Sequence, residues 1–358
     1  MAAFPAHPDS VTAEWLTGRL RAAGKLAEGR VVGVSWKAIG TGQVGDSTRF
    51  TLEYDVPGAG PPTVAAKFPA EDPTSRHTAT SLMLYVHEVG FYRELRGQLD
   101  IRTAEPYAAE IAEDGGDFVL LFEDLAPARG GNQLDGCTLD DARSAMRQIA
   151  GLHAPSWDNP AMTGLAWLES RPEITAHVRQ LYPQAQTLFR ERYQGLLEPE
   201  YMAICDGLVE RMDEWYGREI AVKALVHGDY RLDNMLFDIH GGAERLAVLD
   251  WQTLQAGCPL TDIGYFLGAG TGAELRRAHE DELLDTYCEE MSRRGVALTR
   301  GAIFDRYRLG ELHGVFTAVF SAAFVERTPR GDENFLSMAR GACSLALDHD
   351  SLGLLGKA

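Results

Sequence analysis

The amino-acid sequence predicts an α+β fold in two parts, a small antiparallel-sheet lobe over residues 1–125 and a larger, mainly helical lobe over 126–358. Three observations lead there. Alternation of apolar and polar residues, the period of a half-buried strand, is concentrated near the start of the chain. A short apolar run, Phe118 to Phe122, reads as a buried strand and closes that first region. Beyond it the apolar spacing is helical almost throughout, interrupted by a strand-turn-strand stretch from Asn234 to Trp251.

In chain order, an amphipathic helix is expected around Trp15 to Leu20. The segment VVGVSWKAIG then alternates, with Val32, Val34, Trp36 and Ala38 on one face. RFTLEYDV alternates again, placing Phe50, Leu52, Tyr54 and Val56 together, and after the breaker GAGPP a third strand resumes in TVAAKFP. From about Thr80 the spacing of LMLYVHEVGFYREL is that of a helix. A Gly/Pro/Ala-rich stretch, APARGGNQLDGC, separates this lobe from TLDDARSAMRQIAGLHA. There Thr138 is placed to cap, Asp140 and Asp141 suit the positive helix end, and Leu139, Ala142, Met146, Ile149 and Leu152 form the buried stripe.

Composition excludes several classes of function. With 45% hydrophobic and 24% charged residues the balance is that of a globular protein. The formal net charge of -18 and the absence of a Lys/Arg block argue against a nucleic-acid partner and favour a cationic substrate. Five scattered cysteines, Cys137, Cys205, Cys258, Cys288 and Cys343, form no CxxC pair and suggest neither a disulfide framework nor a zinc site. No signal-like start and no membrane span is read, so a cytoplasmic setting is expected.

The chemistry is concentrated in LVHGDYRLDNMLFDIHGGAERLAVLDW. Asp229 and Asn234 sit five apart, and Asp250 closes the strand that follows an HGG turn. A hairpin on MLFD and LAVLD is expected to bring its outer ends, Asn234 and Asp250, together, with Asp229 projecting from the preceding loop. Mg2+ takes hard oxygen ligands and completes its shell with water and phosphate oxygens, so an Asn/Asp pair suffices to hold it. Asp229 is left to orient a hydroxyl and accept its proton.

HGDYRLDNMLF followed by LDWQ resembles the catalytic loop and metal-binding segment of the aminoglycoside phosphotransferase and choline kinase superfamily. More narrowly, EDLAPARGGNQLDGCT, LHAPSW and LDWQTLQAGCPLTDIGYFL are similar to its ecdysteroid-kinase-like branch. The resemblance runs from about Val31 to Leu347 and implies a two-lobed protein-kinase-like fold. It also implies an ATP- and Mg2+-dependent phosphotransferase acting on a small-molecule hydroxyl. On that resemblance Asp229 is the catalytic base, Asn234 and Asp250 are the metal ligands, His227 structures the loop and Asp262 supports it.

The glycines Gly40, Gly42 and Gly45 join two alternating strands rather than a strand and a helix, which is the setting of a phosphate-covering loop and not of a dinucleotide fingerprint. Lys67, in the third strand, is the candidate cation for the ATP phosphates; Glu88 is its orienting partner, with Glu94 the rival. Phe122-Glu123-Asp124-Leu125 matches the inter-lobe segment where kinases offer main-chain atoms of residues such as Glu123 and Leu125 to adenine. His153 and Trp157 read as helix-end packing, His313 as a core histidine or a pocket residue, and Cys258 as inert. Two other readings stand beside the small-molecule kinase: a nucleotide-binding pseudokinase, against which Lys67, Asp229, Asn234 and Asp250 speak, and a protein kinase, whose HRD, DFG and APE signatures are absent. Among acceptors, aminoglycosides or amino sugars and lipophilic or steroid-like alcohols both remain open. Trp167, Tyr182, Phe316, Phe320 and Phe324 serve either an apolar pocket or the core.

Overall fold

A computed structural model describes residues 4–40, 44–169, 172–324 and 327–356. The chain divides into two compact units. The first comprises Met1–Gln98, Thr103–Pro127 and the short segment Asp250–Thr253; the second comprises Leu99–Arg102, Ala128–Leu249 and Leu254–Ala358.

The first unit is built on an antiparallel sheet of five strands: β1 (Val31–Ile39), β2 (Gly45–Tyr54), β3 (Thr63–Pro69), β4 (Pro106–Ile111) and β5 (Phe118–Glu123), in the order β1-β2-β3-β5-β4. Strand periodicity assigns its two faces to different partners. Phe50, Leu52, Val64, Ala66, Phe68, Val119 and Leu121 form one core with Leu16 and Leu20 of the helix Ala13–Ala22. The alternate residues of β5 meet the helical segment Leu84–Leu95 on the other face, where Tyr85 packs on Phe118 and Tyr92 on Phe122. Lys67 falls between Ala66 and Phe68 and therefore projects toward that second face, opposite Leu120 in the register.

Three expectations change here. Of the residues expected on one face of β1, an edge strand, Val34 packs against the core while Val32, Trp36 and Ala38 are exposed, and Val31, beyond a register shift at Gly33, is buried in the core. The helix expected from Thr80 begins earlier, at Pro73, capped by the Asp72 side chain on Ser75 N–H, and breaks at Met83, whose φ is 59°. Strand β4 was absent from the sequence pattern; PYAAEI is half-buried on both sides and has no alternation to read.

In the second unit, β6 (Arg129–Gly130), β8 (Met235–Asp238) and β9 (Glu244–Val248) form one small antiparallel sheet, and β7 (Ala224–Val226) pairs with β10 (Gln255–Gly257). The β8–β9 turn runs through left-handed residues His240, Gly241 and Gly242, which the two glycines adopt without a Cβ penalty. The remainder is helical. Thr138 and Asp141 close a reciprocal capping box on the helix Leu139–Ser156, whose Ala142, Met146, Ile149 and Leu152 are fully buried while Leu139 is half-buried. The helices Pro172–Tyr193, Pro199–Glu210, Arg300–Phe324 and Pro329–Asp348 share one core, which includes Tyr182, Phe189, Leu208, Val315 and Val319. Among the described residues no helix is long and apolar enough to cross a membrane.

Candidate active site

In the first unit the sheet and the helical segment behind it bring three sequence-distant charges together. Lys67 Nζ lies 2.8 Å from Glu88 Oε2 and 2.9 Å from Asp250 Oδ1. Burial opposes the ammonium charge, yet the Asp250 and Glu88 carboxylates outweigh it and hold Lys67 well above the usual lysine range. Of the two glutamates, Glu88 is buried beside Lys67, whereas Glu94, in the π-helical turn Phe91–Leu95, is exposed.

Asp250 reaches Lys67 from a left-handed backbone, φ 65°, that few non-glycine residues adopt. Its neighbour fixes that conformation. Trp251 is fully buried, stacks on Phe91 with centroids 3.7 Å apart and donates its indole N–H to Thr103 Oγ1 at 3.0 Å.

The glycine segment does join β1 to β2 as a hairpin, with Ile39 opposite Ser47. Gly40 has φ 75° and open space around it, and a Cβ on Gly45 would come within 3.0 Å of the Lys67 side chain. Gly42 lies outside the described residues. Tyr85 pins the end of the segment, its hydroxyl donating to the Val44 carbonyl at 2.7 Å and accepting from Ala70 N–H. At the end of β5, Glu123 N–H donates to the Glu105 carbonyl at 3.0 Å, Asp124 pairs with Arg49 at 2.7 Å, and Leu125 is buried.

In the second unit the loop after β7 carries Asp229, and its peptide groups are held from three directions. Fully buried Asp262 accepts His227 N–H at 2.7 Å and Gly228 N–H at 2.9 Å. His153 Nε2 donates to the same carboxylate at 3.2 Å, and its Nδ1 meets the Tyr287 hydroxyl at 3.0 Å. His153 is thus more than helix-end packing. His227 Nε2 donates to the Leu249 carbonyl at 2.9 Å, and His313 Nε2 donates to the Gly228 carbonyl at 2.8 Å. His313, half-buried and packed on Tyr265, is a histidine satisfied by that hydrogen bond, through which it holds the loop.

The Asp229 carboxylate receives Tyr265 O–H on Oδ1 at 2.9 Å, Asn234 Nδ2–H on Oδ2 at 2.8 Å, and Arg231 Nε–H shared at 2.9 and 3.1 Å. Arg231 also pairs with Asp233, which in turn accepts Gln133 N–H. Burial alone would raise the Asp229 carboxyl; Arg231, His227 and the Asn234 amide outweigh it and hold it below the usual carboxylate range. Both Asn234 hydrogen bonds, to the Asp229 carbonyl and carboxylate, use Nδ2, so its side-chain oxygen is turned the other way. Leu249 N–H donates to the Asn234 carbonyl at 2.9 Å, and Asp250 is the next residue along the chain.

Arg231, Tyr265, Gln133 and Gly131 escaped the sequence reading. Arg231 carried a signal, since it lies two residues from Asp229. Gly131 is required because a Cβ there would meet the Leu232 carbonyl oxygen at 2.1 Å. The stretch APARGGNQLDGC, expected as a separator, thus packs through Gly131 and Gln133 on the Asp229 loop. Elsewhere in the second unit Glu280, Glu311 and His349 form an acidic cluster. The two His349 ring nitrogens each face a different carboxylate, and Arg276 faces Glu280, the pattern of an ion-pair network.

Comparison with known proteins extends this picture. The sequence model of the ecdysteroid kinase-like family matches residues 47–298. The structure is similar to choline kinase from Cryptosporidium parvum, with a TM-score of 0.54 at 9% identity over 95% of each chain. It is similar to a Ralstonia eutropha protein assigned to the aminoglycoside phosphotransferases, with a TM-score of 0.53 at 18% identity over 94% of this chain and 98% of that one. These likenesses establish the fold, the two-lobed kinase-like α+β architecture. In sequence, 94 residues are 35% identical to acyl-CoA dehydrogenase family member 11 of Gallus gallus, a match covering 22% of this chain and 12% of that relative's length.

Proposed function

Because the chain belongs to the ecdysteroid kinase-like family, whose members are kinase-like phosphotransferases, we propose that it transfers the γ-phosphate of ATP to a hydroxyl of a small molecule. The observation that carries this reading is the Lys67 ammonium held between Glu88 and Asp250 at 2.8–2.9 Å. A buried cation pre-set by two carboxylates suits binding of a polyphosphate.

In this reading Lys67, oriented by Glu88, binds the α- and β-phosphates. Gly40, Gly42 and Gly45 cover the phosphates with backbone N–H groups, and the main chain of Glu123 and Leu125 receives adenine. A contact at Glu123 uses its carbonyl, since its N–H serves Glu105. Asn234 and Asp250 would hold Mg2+, for which the outward-turned oxygen of Asn234 and a carboxylate are suitable hard donors. Bound with the nucleotide, Mg2+ would supply neutralisation of phosphate charge. Asp229 aligns the acceptor hydroxyl and takes its proton; its ionised state at neutral pH suits a base.

For the acceptor, the helix Arg300–Phe324 supports a lipophilic alcohol over an amino sugar. From His313, which packs on Tyr265 beside Asp229, an aromatic row continues through Phe316 and Phe320 to Phe324, with successive centroids 6.4, 5.5 and 5.0 Å apart. Phe316 and Phe320 are half-buried and Phe324 is exposed, whereas Tyr182, stacked on Phe316, is core. All five cysteines are free, in keeping with a cytoplasmic setting.

The test is Mg2+-dependent transfer from ATP to a panel of aminoglycosides, amino sugars, choline-like amines and sterol alcohols, with mass detection of products gaining one phosphate. Asp229→Asn is expected to retain nucleotide binding and to lower turnover about 10²- to 10⁴-fold. Wild-type turnover in that variant removes Asp229 from its role. Nucleotide binding without transfer to any acceptor would favour a pseudokinase.

A further inference from the structure

We propose that Tyr265 is a positioning residue for phosphoryl transfer, holding the Asp229 carboxylate so that Oδ2 is the oxygen that receives the acceptor's proton. The proposal rests on the assignment of Asp229 as the base. Its ground is the origin of the carboxylate's three partners. Arg231 and Asn234 belong to the Asp229 loop and move with it. Among the described residues Tyr265 is the one partner of this carboxylate from outside the loop, 36 residues along the chain.

Tyr265 is well placed to serve as that external reference. It ends the short helix Leu260–Tyr265, on which Asp262 stands three residues earlier and so shares its face. One helix face therefore fixes both the loop's amides, through Asp262, and its functional side chain, through Tyr265. This helix is itself fixed. A Cβ on Gly264 would lie 2.5 Å from Glu311 N, and one on Gly310 would lie 2.4 Å from the Leu260 carbonyl oxygen, so the two helices meet backbone to backbone. One turn beyond Gly310, His313 holds the Gly228 carbonyl. Tyr265 is fully buried, and burial followed by the Asp229 charge keeps its phenol protonated, as a donor must be.

The hydrogen bonds also distinguish the two oxygens. An ionised carboxylate has about four lone-pair sites, and Tyr265, Asn234 and the bifurcated Arg231 N–H fill them. The longest of these contacts is Arg231 Nε to Oδ2, at 3.1 Å. An arriving hydroxyl displaces that leg, while Oδ1 keeps Tyr265 and Arg231. The O–H proton passes to Oδ2, the alcohol oxygen's lone pair forms the bond to the γ-phosphorus, and the P–O bond to ADP breaks with its electron pair leaving on ADP. Without Tyr265 the carboxylate is free to rotate with its loop partners, and the near-attack geometry is lost.

Tyr265→Phe tests this, since it keeps the buried ring and removes one donor. The assay uses the fastest-reacting acceptor of the panel above, with ATP and Mg2+. The expected result is a kcat about 10- to 100-fold lower, KM values for ATP and acceptor within about twofold, and a thermal midpoint lower by only the few degrees that loss of one charge-assisted hydrogen bond accounts for. In the Asp229→Asn background the same substitution should cause no further loss, because the group it positions has gone. Wild-type kcat, an equal loss in the Asp229→Asn background, or a change confined to KM and thermal midpoint would each overturn the proposal. Absence of wild-type transfer to every acceptor overturns the underlying kinase reading instead, and this one with it.

Discussion

Replacing Asp262 by Asn isolates the contact that shapes the Asp229 loop. The native carboxylate is fully buried and accepts three hydrogen bonds, from His227 N–H, Gly228 N–H and His153 Nε2–H. Asparagine keeps one acceptor oxygen and turns an NH2 group toward at least one of these donors. The lost charge-assisted bond costs about 1.5–3 kcal/mol, and the buried donor left facing another donor costs about 1–3 kcal/mol more. The two add to roughly 3–5 kcal/mol, since they share one site and part of the second is relieved by relaxation. For a unit of this size that lowers the thermal midpoint by about 10 °C. Urea unfolding of wild type and Asp262→Asn, followed by far-UV circular dichroism and by Trp fluorescence, measures the difference directly. A loss below about 1 kcal/mol would refute the argument that the buried carboxylate holds the loop.

Two further outcomes follow from other parts of the second unit. Gly264→Ala places a methyl 2.5 Å from Glu311 N and 2.7 Å from Gly310 C, so it should cost about 1–3 kcal/mol or more as the helices are forced apart; an unchanged melting curve would show that the backbones have room to separate. His349 lies between Glu311 and Glu280, with Tyr307, Phe304, Ser351 and Arg276 completing its surroundings. Burial works against its charge, but Glu311 and Glu280 raise its pKa above the ordinary 6.5, and burial pushes Glu311 up to about 7. Both groups bind protons more tightly when folded, so their stabilisation is fullest at low pH. The histidine's share is present below its unfolded value and lost as pH rises through its higher folded value, and Glu311 adds a loss in the same direction between 4.5 and about 7. The urea midpoint should fall between pH 6 and pH 8 more for wild type than for the double variant His349→Gln/Glu311→Gln, in which neither group titrates; equal falls would contradict the assignment.

Legibility in the sequence followed the range of the contacts. Asp229 and Asn234 are five residues apart on one loop, and their contact is local, so the spacing in HGDYRLDN carries it. The strands β1, β2 and β3 and the β8–β9 hairpin were legible because alternation and turn glycines are local as well. Strand β4 was not, since its half-buried residues leave no periodic mark. Nor was the exposure of Val32, Trp36 and Ala38 on β1, because whether a strand lies at the edge depends on the partners it lacks.

By itself the sequence determined the α+β class, the candidate residues for phosphoryl transfer and the spacing that sets them on one loop and one hairpin. Those are matters of residue type and short-range backbone geometry. The tertiary structure decided the pairings: Glu88 rather than Glu94 beside Lys67, Asp250 drawn to the same ammonium 183 residues away, and His313 and Tyr265 brought to the Asp229 loop. These depend on which faces of sheet and helix bury against each other, and on glycines such as Gly264 and Gly310 that let two backbones meet. Packing over such separations leaves no period in the chain, and a buried tyrosine that steers a carboxylate looks, in sequence, like any other core residue.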